Sequence, residues 1–311
     1  MNYKQCAKLL LTHENILIVT HRNPDGDTVG SAAALCSALW RAGRTAWLYP
    51  NPQIAGKLLD YCGCFFAPED FTPKYVVSTD VAEETLFPQG FAGKVDLRID
   101  HHPSEGGFAP ESLVRPEKAS CAEIVLELIL NMNTELTKEE ATLLYIGLST
   151  DTGCFMYANT NAPAFRAAAE LLRFGADTQT VNRRFFRQVS LARLKLESMI
   201  YSALRFYRGG QITVACVTRD MIARSGVTED QMDDLAALAG RAEGSELSIT
   251  IRELSDGTSK VSVRSSEKVS SSAICEVFGG GGHIRAAGCT IYGDAEKARE
   301  MLLNVVDEVW K

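Results

Sequence analysis

The chain has 311 residues, 46% hydrophobic and 23% charged, and a formal net charge of −7. That length supports two domains with cores of their own. No apolar run approaches the ~20 residues of a membrane span, and the acidic balance argues against stable binding to duplex nucleic acid.

The opening residues carry Lys4, Lys8 and a brief Leu9, Leu10 and Leu11, then His13, Glu14 and Asn15. This is too short and too polar for a signal peptide, so the cytoplasm is the expected compartment. Nine cysteines are an odd number, and only Cys62 and Cys64 lie close together. They read as free, mostly buried thiols, without the further partners that structural zinc needs.

Ile16, Leu17, Ile18 and Val19 form an apolar run without alternation, the pattern of a buried strand. Pro24 and Gly26 forbid its continuation and impose a tight loop. From Val29 to Trp40 apolar residues recur at helical spacing, and Gly43 is placed just past the helix end. His21, Asp25 and Asp27 therefore sit on a loop between strand and helix, where open α/β sheets bind ligands. An Asx-type turn with Asp27 as N-cap would explain the residues without a ligand. Two carboxylates this close also repel each other, and a divalent cation relieves that repulsion.

Further strands are expected at 45–49, 75–78 and 95–99, the last ending in Asp100, His101 and His102. Ser120 with Glu123 and Thr137 with Glu140 have the form of capping boxes, opening helices through Leu130 and toward Ser149. Asp151, Thr152 and Gly153 break the second helix. Asn161, Ala162 and Pro163 start another, closed by Gly175. Strands interleaved with helices predict a parallel sheet covered on both faces.

Residues 178–207 read as nearly all helical with no strand signal, and they are basic, with Arg183, Arg184, Arg187, Arg193, Lys195 and Arg205, followed by Arg208. They suit a helical connector whose charge is either a solvated face or an attraction for phosphates. Beyond it come a strand at 211–217 and a short helix capped by Thr228 and Gln231. A hairpin at 246–254 and 259–265 then turns at Ser255, Asp256, Gly257 and Thr258. A helix at 270–278 runs into four glycines and His283, and a strand and a helix finish the chain. The expected fold class is α/β: a parallel-sheet domain at 1–180, a helical linker at 181–208, and a smaller α/β domain with a mixed sheet at 209–311.

The strand-borne His21, Asp25, Asp27, Asp80, Asp100, His101 and His102 can converge on one carboxyl edge of the sheet, and Asp151 could fold back onto it. An oxygen-rich ligand set with some imidazole suits Mn²⁺ best, then Mg²⁺ or Fe²⁺, and Zn²⁺ less. Six side chains serving a pair of ions need one to be shared. Asp80, isolated in sequence and central in strand order, is the expected bridge. Two ions roughly 3.5–4 Å apart stabilise an in-line displacement at phosphorus. His102 could face the substrate, and Asp100 could orient the ligand ring. Successive glycines allow backbone N–H groups to form an anion nest. Gly280, Gly281, Gly282, His283 and Arg285 are therefore candidate substrate contacts, with Arg264 as a bidentate phosphate partner. A flexible turn is the alternative.

The run His21 to Asp27 (His-x-Asn-Pro-Asp-Gly-Asp), the lone Asp80, Asp100-His101-His102, and Thr150-Asp151-Thr152-Gly153 resemble the four motifs of the DHH phosphoesterase superfamily. The glycine run with His283, and Ala286-Ala287-Gly288, resemble the signature of the DHH-associated C-terminal domain. The resemblance spans residues 16 to 290 and is nearest to the stand-alone oligoribonuclease and pAp phosphatase branch, the NrnA type. It implies one Mn²⁺ on His21, Asp25 and Asp80, and another on Asp27, Asp80, His101 and Asp151, with His102 near the scissile phosphate. It places nucleotide on Arg264 and the 279–283 loop. The implied substrates are short single-stranded RNA oligonucleotides and pAp (3′-phosphoadenosine 5′-phosphate), cleaved to mononucleotides and AMP; the alternative is cleavage of cyclic-di-AMP or the dinucleotide pApA. Departures occur at Pro103, Ser104, Glu105 and Gly106, where relatives often carry Asn, and at Ser120 to Glu123, where a second hydroxyl is more usual. A manganese pyrophosphatase shares the N-terminal pattern but normally carries an Arg-Lys-Lys type stretch, which is not found. Apolar helices of the first domain could pair in a homodimer.

Overall fold

In the computed structural model, which describes residues 1–104, 107–232 and 235–310, the chain divides into two units, Met1–Gln188 and Val189–Lys311. Of the departure noted at 103–106, Glu105 and Gly106 lie outside the described residues.

The first unit runs α1 (Tyr3–Thr12), β1 (Ile16–Val19), α2 (Gly26–Arg41), β2 (Ala46–Leu48), α3 (Gly56–Cys62), β3 (Tyr75–Thr79), β4 (Leu97–Asp100), β5 (Glu111–Val114), α4 (Cys121–Leu130), α5 (Lys138–Asp151), α6 (Ala162–Arg173) and α7 (Thr178–Asn182). Its five strands are all parallel, in the order β2-β1-β3-β4-β5. The loops leaving β1, β3 and β4 therefore share one edge. Strands β1, β3 and β4 are buried throughout; β1 and β3 do not alternate, and the alternation of β4 (Leu97, Arg98, Ile99, Asp100) buries an arginine and an aspartate. Ile16, Ile18, Val77, Leu97 and Ile99 join the core that every helix of this unit enters. Leu17, Val19, Val76 and Val95 face the other way.

Both faces of the sheet are covered, the second by loops rather than helices. Tyr49, Phe71, Phe87, Phe91 and Phe108 cover it from loops, with tilted and edge-on ring contacts at 5.2–5.3 Å. Strand β4 also begins two residues later than expected, because the Asp96 carboxylate accepts the Val76 N–H at 2.8 Å. Asp25, not Asp27, is the N-cap of α2. The Thr137–Glu140 capping box is present, whereas the one at Ser120 is half made. Ser120 Oγ accepts from Glu123 N, but the Glu123 carboxylate turns to Ala119 N at 2.8 Å and to Lys118.

The second unit runs α8 (Leu191–Ser202), β6 (Arg205–Tyr207), β7 (Ile212–Val217), α9 (Arg219–Ser225), β8 (Leu247–Glu253), β9 (Thr258–Ser265), α10 (Ser271–Glu276), β10 (Gly281–His283), β11 (Ala286–Tyr292) and α11 (Ala295–Val309). Among the described residues its sheet is mixed, in the order β10-β11-β9-β8-β7-β6, with β7 and β8 parallel and the other neighbours antiparallel. Ile249, Ile251, Val261, Val263 and Ile291 pack against Ala295, Leu302 and Val306 of α11.

Two expectations are corrected here. Residues 205–207 are a strand, paired antiparallel with β7 after a turn through Arg208, Gly209 and Gly210, all at positive φ. The glycine run is not a free loop, since Gly281–His283 pair with Ala286–Gly288.

A candidate two-metal centre in the first unit

His21 follows β1, Asp80 follows β3, and Asp100, His101 and His102 end and follow β4. Asp25 and Asp27 open α2, and Asp151 closes α5. Helix α5 reaches the sheet edge because two glycines let α2 and α5 close on each other. A Cβ at Gly30 would collide with the Leu143 carbonyl, and one at Gly147 would lie 2.7 Å from Asp27 Oδ1.

The ligand-type atoms fall into three overlapping groups, each with members within 4.8 Å of one another. These are His21, Asp25 and Asp80; Asp27, His101 and Asp151; and Asp80, Asp100, His101 and His102. All six sequence-read ligands and both further residues, Asp100 and His102, are thus gathered at one edge. Asp80 belongs to two groups, and its backbone takes φ +61, a left-handed conformation that aspartate tolerates better than most residues.

Asp27 and His101 are held from outside. The Asp27 carboxylate accepts from Cys121 N (2.6 Å) and Ala122 N (2.9 Å), the first amides of α4, and from Ser31 Oγ (3.2 Å). His101 Nδ1 lies 3.3 Å from the Lys118 carbonyl. A carbonyl only accepts, so that nitrogen carries the proton and Nε2 keeps its lone pair. Nε2 faces Asp80 at 3.5 Å, Asp151 at 3.7 Å and Asp27 at 4.0 Å. His102 Nδ1 donates to Asp100 Oδ1 at 2.8 Å, and Asp100 also accepts the backbone N–H of His101 and His102.

Two contributors were missed in the sequence. Thr28 Oγ1 donates to Asp80 Oδ2 at 2.6 Å and lies 2.6 Å from His21 Nε2. A hydroxyl next to a cap residue carries no signal of its own. Arg98 is 3% exposed and grips Asp100 through Nε at 3.0 Å and through Nη2, while Nη1 reaches the Ser104 carbonyl at 3.0 Å. The signal was there: a guanidinium inside a buried strand must find a partner.

The electrostatics are those of a cation site. Burial pushes the Asp27 carboxyl up to about 7, with Asp151 adding to the rise. Burial, then Asp27 and Asp25, push Asp80 well above the carboxylate range. Asp151 goes up to about 6 for the same reasons, burial and then Asp25. Among the described residues, Asp80 Oδ1 is buried with no hydrogen-bond donor. An unpartnered oxygen among crowded carboxylates fits a divalent cation. Asp100 differs: burial raises it, but hydrogen bonds from His102 and Arg98 prevail and hold it below its ordinary range. His102 is raised in turn, chiefly by its hydrogen bond to Asp100.

Residues 15–148 match the DHH family N-terminal domain, and residues 209–311 match the DHHA1 domain. The bifunctional oligoribonuclease and PAP phosphatase NrnA of Thermus thermophilus is 36% identical over 301 residues, covering 94% of this chain and 89% of that one. The chain belongs to the DHH family. The protein of the same name from Bacillus subtilis is 25% identical, with 95% of each chain covered. Among solved structures, an exopolyphosphatase-related protein from Bacteroides fragilis superposes with a TM-score of 0.85 at 23% identity, over 98% of this chain and 96% of that one. It shares the DHH fold.

The substrate residues read from the sequence all lie in the second unit, within the DHHA1 match. Arg264 is exposed on β9, and Gly281, Gly282 and His283 form β10. Arg264 and His283 stand in one cross-strand row through Ala286. Arg285 lies in the turn between β10 and β11, 4.0 Å from Glu267. Gly280 packs against Cys289, so its lack of a side chain is a packing requirement.

Proposed function

We propose that this DHH-family chain hydrolyses short single-stranded oligoribonucleotides to mononucleotides and pAp to AMP, using two Mn²⁺ ions, with Mg²⁺ as the alternative metal. The observation that carries this reading is the overlap of the ligand groups: Asp80 joins His21 and Asp25 to Asp100, His101 and His102, and His101 also stands with Asp27 and Asp151. His21, Asp25 and Asp80 would hold one ion; Asp27, Asp80, His101 and Asp151 the other. When bound, such ions supply Lewis acidity toward a phosphate oxygen and toward water. The chain's own groups do the rest. Asp100 fixes His102 with Nδ1 protonated, which leaves Nε2 free to contact the substrate phosphate. The amides of Cys121 and Ala122 hold Asp27 in place. Arg264, the glycine run, His283 and Arg285 would bind nucleotide from the second domain, with 1–180 as catalytic domain, 181–208 as linker and 209–311 as substrate domain. The names of the relatives from Thermus thermophilus and Bacillus subtilis support this substrate class. The chain would act in the cytoplasm, without stable duplex binding, and pairing of first-unit helices would make any homodimer. Among the described residues no helix is long and apolar enough to cross a membrane.

The test is a substrate panel with Mn²⁺: pAp, a dinucleotide, a five-nucleotide RNA, pApA, cyclic-di-AMP and pyrophosphate. Activity on pAp and short RNA is expected, with little on pyrophosphate. Fast pyrophosphate turnover with none on nucleotides overturns the reading, and preference for cyclic-di-AMP or pApA replaces its substrate. Asp80→Ala should abolish turnover and lower bound Mn²⁺ measured by equilibrium dialysis. Near-normal activity in that variant would refute the shared ligand.

A further inference from the structure

One face of the second unit's sheet packs on α11; the other is covered by a second apolar cluster over β7 and β8 and lies open over β9, β11 and β10. Cross-strand partners share a face, so the register defines rows on the open side. The middle row is made of small residues: Gly281 opposite Gly288, Gly288 opposite Ser262, Ser262 opposite Thr250. One flanking row carries His283, Ala286 and Arg264; the other carries Thr290, Lys260 and Arg252. Successive rows lie about 7 Å apart, two residues along a strand. The result is a trough with a low floor and cationic flanks, in a chain of net charge −7. A cavity of about 320 Å³ opens beside it, lined by Lys260, Ser262 and Arg264 and backed by Met232, Leu235 and Ala236. That volume lies in the range of small-molecule sites.

The glycines are not equivalent. Gly280 is demanded by contact with Cys289, and Gly282 has φ +141 with a would-be Cβ 2.6 Å from the Ala286 carbonyl. Gly281 is exposed, is not in the left-handed region, and a Cβ there would meet nothing within 4 Å among the described residues. The fold asks for no glycine at 281, whereas a molecule lying flat on the floor would. The two flanks also differ. Arg252 is committed to Glu229 at 2.7 Å. Lys260 is exposed, four residues from Arg264 on the same strand.

We propose that Lys260 is the second phosphate contact of this trough. The sugar and base of one nucleotide lie across Gly281, Gly288 and Ser262, with one phosphate at Arg264 and His283 and the next at Lys260. The ligand class is a nucleoside phosphorylated on both sides, that is, a 3′,5′-bisphosphate or an internal residue of an RNA strand. A mononucleotide product reaches one flank only and is held less tightly. This rests on the reading that the second unit binds nucleotide, and the controls separate the two.

The experiment measures binding of AMP, pAp and a five-nucleotide RNA to the full chain by calorimetry, with chelator present so that no substrate is consumed. The unmodified protein should bind pAp and RNA more tightly than AMP. Lys260→Ala should cost about tenfold for pAp and RNA, the scale of one charge-assisted hydrogen bond. AMP binding should not change, and Lys260→Arg should restore affinity. Gly281→Ala should keep the melting temperature and weaken all three ligands. Lys260→Ala binding pAp and RNA as the unmodified protein does overturns the proposal, and unchanged binding by Gly281→Ala removes its floor. Arg264→Ala should weaken all three. If it does so while Lys260→Ala has no effect, nucleotide binding by this unit stands and only the second flank falls. If neither variant changes binding, both fall.

Discussion

Arg98 shows how much of this centre depends on a residue that holds no ion. Its guanidinium, buried on β4, binds Asp100 of the same strand and ties it to Ser104. Asp100 in turn fixes His102. Arg98→Met would leave a buried carboxylate without its cation, a change that costs about 3 kcal/mol. The melting temperature should fall, and kcat on pAp should drop at least about tenfold with KM little changed, because orientation of His102 is lost and nucleotide binding is not. Arg98→Lys, which keeps the charge but not the fork, should recover part of kcat. A KM effect without a kcat effect would contradict this role. The candidate ligands were legible because His, Asp and Gly stood at fixed offsets after strand signals. Arg98 and Thr28 were not, because their partners are set by side-chain direction across the fold.

At the scale of elements, the crossing of α2 and α5 decides whether Asp27 and Asp151 can meet. Gly147 sits where a methyl group would press on the Asp27 carboxylate and on Ala122 Cβ, at 2.7 and 2.8 Å. Gly147→Ala gains up to about 1 kcal/mol of helix propensity and loses about 1–3 kcal/mol to overpacking. The expected balance is a lower melting temperature together with weaker Mn²⁺ binding, read by thermal shift and metal titration. Unchanged metal affinity would mean that α5 can retreat without moving Asp151. Helix periodicity was sufficient to read α2, and periodicity with caps to read α5 and α6, from the sequence. The short β6 was missed because three residues carry no period, and the glycine run was misjudged because strand pairing by glycine is decided by the neighbouring strand. The loops over the second sheet face look like connections in sequence, and only the fold shows their phenylalanines meeting.

For the molecule as a whole, the crowded carboxylates link folding, protons and metal. Asp27, Asp80 and Asp151 hold protons more tightly in the folded, metal-free chain than in the unfolded one, where aspartate titrates near 4. Their contribution to stability is therefore fully present below about pH 4 and drains away as pH rises through about 6 and about 7. Bound cations reverse the sign by favouring the ionised forms. The melting temperature of chelator-treated protein should fall between about pH 5 and about pH 8, and the rise on adding Mn²⁺ should be larger at the higher pH. A metal-free protein that grows more stable over that interval would contradict the clustering.

The aromatic loops also have a remote effect. Arg22 N donates to the Leu86 carbonyl at 2.7 Å, and Ser104 Oγ donates to the Ala82 carbonyl at 2.6 Å. The segment bearing Phe87 and Phe91 is thereby stapled to the loop that carries His21 and to the one that follows His102. A lesion in one of those phenylalanines, touching no carboxylate, would slacken both loops at once and be scored in an assay as a defect in phosphate chemistry.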